Sequence, residues 1–168
     1  MTKNPFYDSK VIDKAYTAKK LLDLAYLIQS QVTEVYRRKG MIFPVICSST
    51  LLFLSRHGPA SVTEVAKALE HPHQTVAQHF KTLSKLDIVQ NRKDPLDKRR
   101  AEYFVTETGK DQADRLEQYN VEAADVFKSL DDDLAQDLGQ ILDAGRHSLL
   151  HRSMADRFSE LFDLGEQS

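Results

Sequence analysis

Basic residues crowd into one short segment near the middle of the chain. Residues 94–100 read DPLDKRR and lie between two strand-like runs, 88–93 and 101–105, so we expect them to form the tip of a β-hairpin. Arginines at such a tip can lie over DNA phosphates or enter a narrowed minor groove, where the negative potential favours them. Asp97 is predicted to hold the tip in shape through a local ion pair. The predicted contacts of the tip are Lys98, Arg99 and Arg100.

A second set of polar side chains lies on one face of the helix predicted just before the hairpin. That helix is expected from Pro72 to about Leu86, with an apolar stripe on its other side formed by Val76, Phe80 and Leu83. Glutamine bonds adenine, lysine reaches guanine or phosphate, and threonine suits phosphate oxygens. The predicted DNA contacts are His73 at the N-terminal tip, Gln74, Thr75, Gln78, Lys81 and Lys85, together with Arg92 on the following strand.

Each set also has a plainer explanation. Every surface helix has a polar solvated face, and basic residues at a hairpin edge can serve only to keep that edge soluble. The helices before the hairpin favour DNA binding, because a charged hairpin directly after a helix-turn-helix is typical of a winged helix. We therefore predict that the helix reads DNA and that the wing contacts its backbone or minor groove.

The helices that position these residues are predicted from the spacing of apolar residues and from glycine, proline and capping residues at their ends. One helix is expected over Pro44–Ser55, ended by Gly58-Pro59. The spacing of Ser61 and Glu64 predicts a capping box, with Ser61 as the helix cap, that opens a short helix to Leu69. Pro72 is predicted to stand in the first turn of the next helix.

Long amphipathic helices are predicted on both sides of this lobe. The first runs from about Ser9 to Lys39, a length of ~45 Å, and Gly40 ends it. After the wing, Thr106 caps a helix to about Leu130, and residues 131–133, all aspartate, are expected to open a last long helix. That helix carries Leu134, Leu138, Ile141, Leu142, Leu149, Met154, Phe158, Leu161 and Phe162. So small a lobe cannot cover these apolar faces. The first helix is longer than the lobe needs, and part of it is expected to pack against another subunit.

The predicted fold class is mainly α with a small β-hairpin wing. The domains expected are an N-terminal dimerisation helix over residues 1–40, a DNA-binding lobe over 41–106 and C-terminal dimerisation helices over 107–168. The formal net charge of −2 hides an asymmetry, since residues 71–100 hold seven Lys/Arg and three Asp/Glu, whereas residues 107–168 hold six and fifteen. This fits a DNA-binding lobe beside an assembly lobe, although any solvated acidic tail would give the same figures.

Composition excludes several classes of protein. The chain has 168 residues, of which 41% are hydrophobic, which is ordinary for a soluble protein. No run approaches the ~18 apolar residues of a membrane span, and the N-terminus MTKNPFYDSK has no apolar signal core. The single cysteine, Cys47, excludes an intramolecular disulfide framework. These observations predict a cytoplasmic protein.

The segment from Val65 to Gly109 resembles the multiple-antibiotic-resistance-regulator (MarR) family of winged-helix transcription factors. The residues that carry the resemblance are VAKALEHPHQTVAQHFKTLSKLDIV and DPLDKRRAEYFVTETG. The family's wing pattern of an acidic residue, a variable residue and arginine corresponds to residues 97–99, and its LTxxG pattern corresponds to residues 105–109. The helix-turn-helix half is shared by many bacterial regulators, whereas the wing half is more specific. Total length and layout also fit.

The resemblance implies a homodimer on an inverted-repeat DNA site, with half-sites about one helical turn apart. It further implies a repressor, as most relatives are, and a small-molecule effector of unknown identity bound between the DNA lobes and the dimer helices. The chain departs from the family at Glu70 and Asp87, where relatives often have glycine, and at Pro72, which replaces a serine-type cap. The recognition helix contains no arginine, so its target need not resemble those of better-known relatives.

Other kinds of chemistry have weaker support. His147 and His151 lie one helical turn apart, a spacing that can bind zinc, and a metal-sensing regulator is therefore an alternative. Two ligands of the three or four required are weak support, so no metal or cofactor is predicted. Cys47 is expected to be buried rather than oxidant-sensing. A winged-helix protein-interaction module stays open, whereas no motif supports an enzyme.

Overall fold

The computed structural model describes residues 14–93 and 101–162. The chain divides into two compact units, residues 1–119 and residues 120–168. The first unit contains helix α1 (Thr17–Arg38), a 3-10 helix (Val45–Cys47), α2 (Ser48–His57), α3 (Val62–Ala68), α4 (His73–Lys85) and strands β1 (Val89–Lys93) and β2 (Ala101–Val105). Helix α5 (Glu107–Leu134) begins in the first unit and ends in the second, which also contains α6 (Leu138–His151) and α7 (Met154–Leu161).

The predicted fold class is confirmed, because helices dominate and the two described strands form one antiparallel hairpin. The hydrophobic core of the first unit lies where α2, α3 and α4 meet. The predicted apolar stripe of α4 is completely buried, with Val76, Phe80 and Leu83 each at 0% exposure. Val65 of α3 and Leu51 of α2 are equally buried and belong to the same apolar cluster. Burial of each such side chain is worth about 1.5–3 kcal/mol, so α4 is held to the lobe along its full inner face.

An aromatic contact helps to fix the hairpin to this core, in which Val89 of β1 is also buried. Tyr103 of β2 stacks on Phe80 of α4, with ring centroids 4.0 Å apart and planes 7° from parallel. The backbone of Tyr103 also exchanges two hydrogen bonds with Ala60, at 2.8 and 3.0 Å. The connection between α2 and α3 therefore adds a short third strand-like segment beside β2.

The predicted capping box at the start of α3 is confirmed. Ser61 Oγ accepts from the Glu64 backbone N–H at 3.3 Å, and the Glu64 carboxylate accepts from the Ser61 N–H at 2.8 Å. Glu70 and Asp87, where the resemblance leads us to expect glycine, have φ values of 52° and 53°. The fold thus keeps the left-handed turns with non-glycine residues, at a cost of about 1–2 kcal/mol each. Pro72 is the N-cap of α4 rather than a residue of its first turn.

Thr106 and Gly109 root helix α5 at the base of the hairpin. Thr106 Oγ1 accepts from the Gly109 N–H at 3.0 Å, which confirms Thr106 as the cap. A Cβ atom built on Gly109 would lie 2.0 Å from the carbonyl oxygen of Ile88. One turn later, the buried Gln112 side chain bonds the Ile42 N–H at 2.9 Å and the Gly40 carbonyl at 3.2 Å. Helix α5 is therefore tied both to the hairpin and to the chain reversal after α1.

The first two helices differ from their predicted bounds. Within the described residues, α1 has 22 residues, or ~33 Å, and a turn at Tyr16 precedes it, so the expected uninterrupted helix from Ser9 is wrong over the part that can be compared. Gly40, with φ of 72°, ends α1 as predicted. The helix expected to begin at Pro44 opens with a 3-10 turn and continues to His57, where Gly58 ends it.

The predicted boundaries of the last helices are wrong. Residues 131–133 lie in the last turn of α5, which extends to Leu134, and Ala135 follows with φ of 51°. Asp137 caps α6 instead, accepting from the Gln140 N–H at 2.7 Å, while Asp131 reaches back across the turn to the Leu138 N–H at 2.9 Å. Asp131 thus contributes to the start of the next helix from the last turn of the preceding one.

The expected single long C-terminal helix is also wrong, because α6 and α7 occupy its place. Arg152 is extended, with φ of −143° and ψ of 107°. Ser153 then caps α7 in a capping box with Asp156, through bonds of 3.1 and 2.9 Å. A local capping signal therefore overrides a continuous apolar periodicity. Over residues 14–93 and 101–162, no helix is long and apolar enough to cross a membrane.

Gly109→Ala is expected to lower the free energy of unfolding by at least about 2 kcal/mol, because the new methyl group collides with the Ile88 carbonyl. Gly145→Ala in α6 is the matched control: nothing lies within 4 Å of its Cβ position, so the helix should gain about 0.5–1 kcal/mol. Urea unfolding followed by circular dichroism measures both. Equal effects of the two substitutions would contradict the close approach at Gly109.

Candidate nucleic-acid interface

The outward face of α4 presents the side chains that the sequence predicted. His73, Gln74, Gln78, Lys81 and Lys85 are exposed, and Thr75 is half-buried. The helix has 13 residues, about 20 Å of length, and the DNA major groove is wide enough to admit a helix. Among residues 14–93 and 101–162, no carboxylate forms an ion pair with Lys81 or Lys85. The face is polar, cationic and accessible.

A buried polar pair that sequence reasoning missed holds the other side of α4. The Nδ1 atom of His79 and the Oγ1 atom of Thr50 in α2 lie 2.9 Å apart, and both residues are buried. The ring of His71 approaches that of His79 edge-on, with centroids 6.3 Å apart. Burial, followed by the charge of His71, lowers the pKa of His79 below its usual value. The pair fixes the rotation of α4 about its axis, because a hydrogen bond is directional where apolar packing is not.

The hairpin places one predicted contact, Arg92, in a defined arrangement. In the strand register, Arg92 lies opposite Glu102, and its Nε atom donates to the Glu102 carboxylate at 2.9 Å. Its guanidinium carbon lies 5.4 Å from the centre of the Phe104 ring. Arg92 therefore already has partners within the hairpin while its side chain is 54% exposed. The other predicted wing residues, Asp97, Lys98, Arg99 and Arg100, lie outside the described residues.

A separate groove of about 620 Å³ lies in the first unit, between the C-terminal half of α1 and the segment that leads to α2. Met41, Phe43 and Ile46 supply apolar lining, and Gln29, Thr33 and Glu34 supply polar lining. Glu34 is bonded by both Arg37 and Arg38 at 2.7–2.8 Å. These bonds lower the pKa of the Glu34 carboxyl to about 2. The groove thus combines an apolar floor with an ionised rim, as small-molecule sites commonly do.

The candidate metal ligands do not come together in the described part of the chain, where no group of three or more His, Cys, Asp or Glu side chains could hold a metal ion. His147 and His151 both lie exposed on α6. Cys47 is buried at 1% exposure in the 3-10 helix, as expected, although that residue precedes α2. Burial raises the pKa of the Cys47 thiol to about 11, so it stays protonated at neutral pH.

Known proteins resemble this chain both in sequence and in fold. Residues 43–100 match the family model described as the MarR family. This part of the chain, which contains α2, α3, α4 and β1, is therefore similar to the MarR family. A search of curated protein sequences gave no match.

Solved structures of MarR type share the fold. The S. aureus MepR–DNA complex is 17% identical, covers 80% of this chain and 95% of its own, and has a TM-score of 0.62. The adhesin competence repressor from Streptococcus pyogenes is 23% identical, with coverage of 80% and 96% and a TM-score of 0.55. NMB1585, a MarR family regulator from Neisseria meningitidis, is 22% identical, with coverage of 85% and 96% and a TM-score of 0.55. At these identities the likeness concerns the fold.

Acidification should lower the stability of the first unit through His79. Its pKa is lower in the folded chain than in the unfolded chain, so the unfolded state binds more protons as the pH falls below about 6.5. The free energy of unfolding should therefore decrease between about pH 7.5 and about pH 5.5, above the range in which carboxylates titrate. His79→Gln should remove this part of the pH dependence, whereas His147→Gln, an exposed histidine, should keep it. Thermal unfolding at the two pH values checks this, and identical pH profiles for wild type and His79→Gln would contradict it.

Proposed function

We propose that this protein is a DNA-binding transcriptional regulator that inserts α4 into the major groove of duplex DNA. The observation that carries the proposal is the division of α4 into two faces. One face is completely buried through Val76, Phe80 and Leu83, and the other exposes glutamine and lysine side chains without intramolecular ion pairs among the described residues. Glutamine reads adenine and lysine reaches guanine or phosphate, which is the chemistry of a recognition helix.

The wing supplies backbone contacts in this proposal. Lys98, Arg99 and Arg100 stand in the sequence between the two strands of a hairpin that Tyr103 packs against α4. Contacts to phosphate give affinity without sequence selectivity, whereas contacts to base edges give selectivity. We assign the first role to the wing and the second to Gln74 and Gln78.

We propose that the protein acts as a homodimer. Large apolar side chains stay exposed along the helices of both units, more than single scattered residues on a monomer surface require. A two-fold dimer presents two recognition helices and selects an inverted repeat. The exposed side chains include Leu21, Leu24, Leu27, Val121, Phe127, Ile141, Leu142, Leu149, Met154 and Phe158.

A repressor role released by a small molecule completes the proposal. One structural relative is described as a repressor and another was solved on DNA. The groove beside α1 offers both apolar and charged lining for an effector. A ligand there would alter DNA affinity only if it binds one arrangement of the protein more tightly than the other.

Gln78→Ala and Gln74→Ala should each cost about 1–3 kcal/mol of binding free energy on a duplex that carries the preferred site, and little on random duplex, because each removes a contact to a base edge. Gln118→Ala, an exposed glutamine on α5, is the control and should bind both duplexes like wild type. Fluorescence anisotropy titration measures these affinities. Equal losses on both duplexes would assign the glutamines to backbone contact instead.

Arg99→Ala should weaken binding to all duplexes similarly and reduce the slope of log affinity against log salt by about one, because one phosphate contact is lost. The same titration at several salt concentrations measures the slope. A wild-type protein with no salt-dependent binding to any duplex would refute the proposal and favour a protein-interaction module.

A further inference from the structure

Arg92 and Glu102 form a cross-strand pair on the outer face of the hairpin. The Nε atom of Arg92 donates to Glu102 at 2.9 Å, and the Phe104 ring supports the guanidinium face at 5.4 Å. Side chains alternate along a strand, so Glu102 and Phe104 lie on the side opposite Tyr103, which is stacked on the core. Glu102 is 20% exposed and Arg92 is 54% exposed. The carboxylate is thus the sheltered member of the pair and the guanidinium is the accessible one.

A carboxylate in a wing is unfavourable for DNA binding on charge alone. Beside Arg92, however, this carboxylate restrains the orientation of the guanidinium. Arginine presents five N–H donors in a rigid planar fork, and a bond through Nε leaves the outer edge of the fork, with both Nη groups, open to a second acceptor. The fork matches the oxygen geometry of a phosphate. Glu102 and Phe104 therefore hold the guanidinium by one edge and one face, and within residues 14–93 and 101–162 no acceptor is bonded to its other edge.

We propose that Glu102 is a positioning residue that fixes Arg92 for contact with a DNA phosphate. This inference rests on the proposed DNA-binding function and adds a role for an acidic residue in it. A free arginine loses its rotamer freedom when it binds, and a guanidinium that is already held loses less. The repulsion between Glu102 and phosphate is screened by solvent and offset by the arginine between them. The positioning effect is thus predicted to exceed the repulsion.

Substitution of Glu102 changes DNA affinity in opposite directions depending on whether this residue positions Arg92 or only adds negative charge. If Glu102 positions Arg92, Glu102→Ala should lower affinity about three- to ten-fold although it removes a negative charge. Glu102→Gln keeps an amide oxygen that can accept from Nε, and it should stay within about twofold of wild type or bind more tightly. If charge alone matters, both substitutions should raise affinity by similar factors. Anisotropy titration of the full chain with a labelled duplex, selected by the wild type from a random pool, measures these affinities.

Substitutions of Arg92 complete the test. In an Arg92→Ala background, Glu102→Ala should cause no further loss, because the residue it positions is absent. Arg92→Lys keeps the charge without the fork, and it should lose affinity about as much as Glu102→Ala. A lowered unfolding midpoint of Glu102→Ala would reveal that this substitution perturbs the hairpin. In that case the affinity of Arg92→Lys still tests the inference. Glu107→Ala, an exposed carboxylate at the start of α5, is the charge-matched control and should not lower affinity.

Contradictory results are separable. An increase in affinity for Glu102→Ala, or wild-type affinity and salt slope for Arg92→Ala, overturns the inference and leaves the proposed function intact. A wild-type chain that binds no duplex overturns the proposed function and this inference with it. A loss for Glu102→Ala that is rescued by glutamine and absent in the Arg92→Ala background supports both.

Discussion

The stacking of Phe80 on Tyr103 is the contact on which the arrangement of α4 and the hairpin depends. The rings are 4.0 Å apart and nearly parallel, and they join the centre of α4 to β2, the second strand of the hairpin. Phe80 is completely buried, so the contact is part of the core rather than an addition to it. Because Tyr103 also pairs with Ala60 through its backbone, three segments meet at this point. The outer face of α4 and the hairpin thereby keep one relative orientation, which the proposed contact with DNA requires.

Polar groups inside the lobe add directional constraints to this apolar contact. His79 and Thr50 fix the rotation of α4, while Gln112 fixes α5 to the turn after α1 through bonds to Gly40 and Ile42. Buried polar groups are costly unless they are paired. Each of these is paired, so they specify one packing without leaving an unsatisfied group. The segment that Gln112 holds also lines the groove beside α1. The candidate effector site and the first turns of α5 therefore lie in the same part of the first unit.

The local features of this lobe were predictable from the sequence because they are encoded within a few residues. The periodicity of Val76, Phe80 and Leu83 gives the buried face of α4, and the same periodicity assigns Gln74 and Gln78 to the outer face. The Ser61 capping box and the Thr106 cap are each encoded within four consecutive residues. Such signals depend only on neighbouring residues, so they can be identified without knowledge of tertiary contacts.

Other features depend on partners distant in the chain, and the sequence could not identify them. His79 interrupts an apolar stripe, but only the approach of Thr50, 29 residues away, makes it a buried hydrogen-bonding group. The pairing of Arg92 with Glu102 depends on the register of the hairpin. At the C-terminus two local signals competed: the capping box at Ser153 prevailed over apolar periodicity and divided one predicted helix into α6 and α7.

Selection of bound duplexes from a random DNA pool tests the central claim most directly. A homodimer that inserts one α4 helix per half-site should enrich an inverted repeat whose half-sites lie about 34–36 Å apart, one helical turn of DNA. Recovery of that repeat, with protection of both half-sites by the wild-type protein, is the predicted result. Failure to enrich any sequence, or enrichment of an isolated site without two-fold symmetry, would contradict the account.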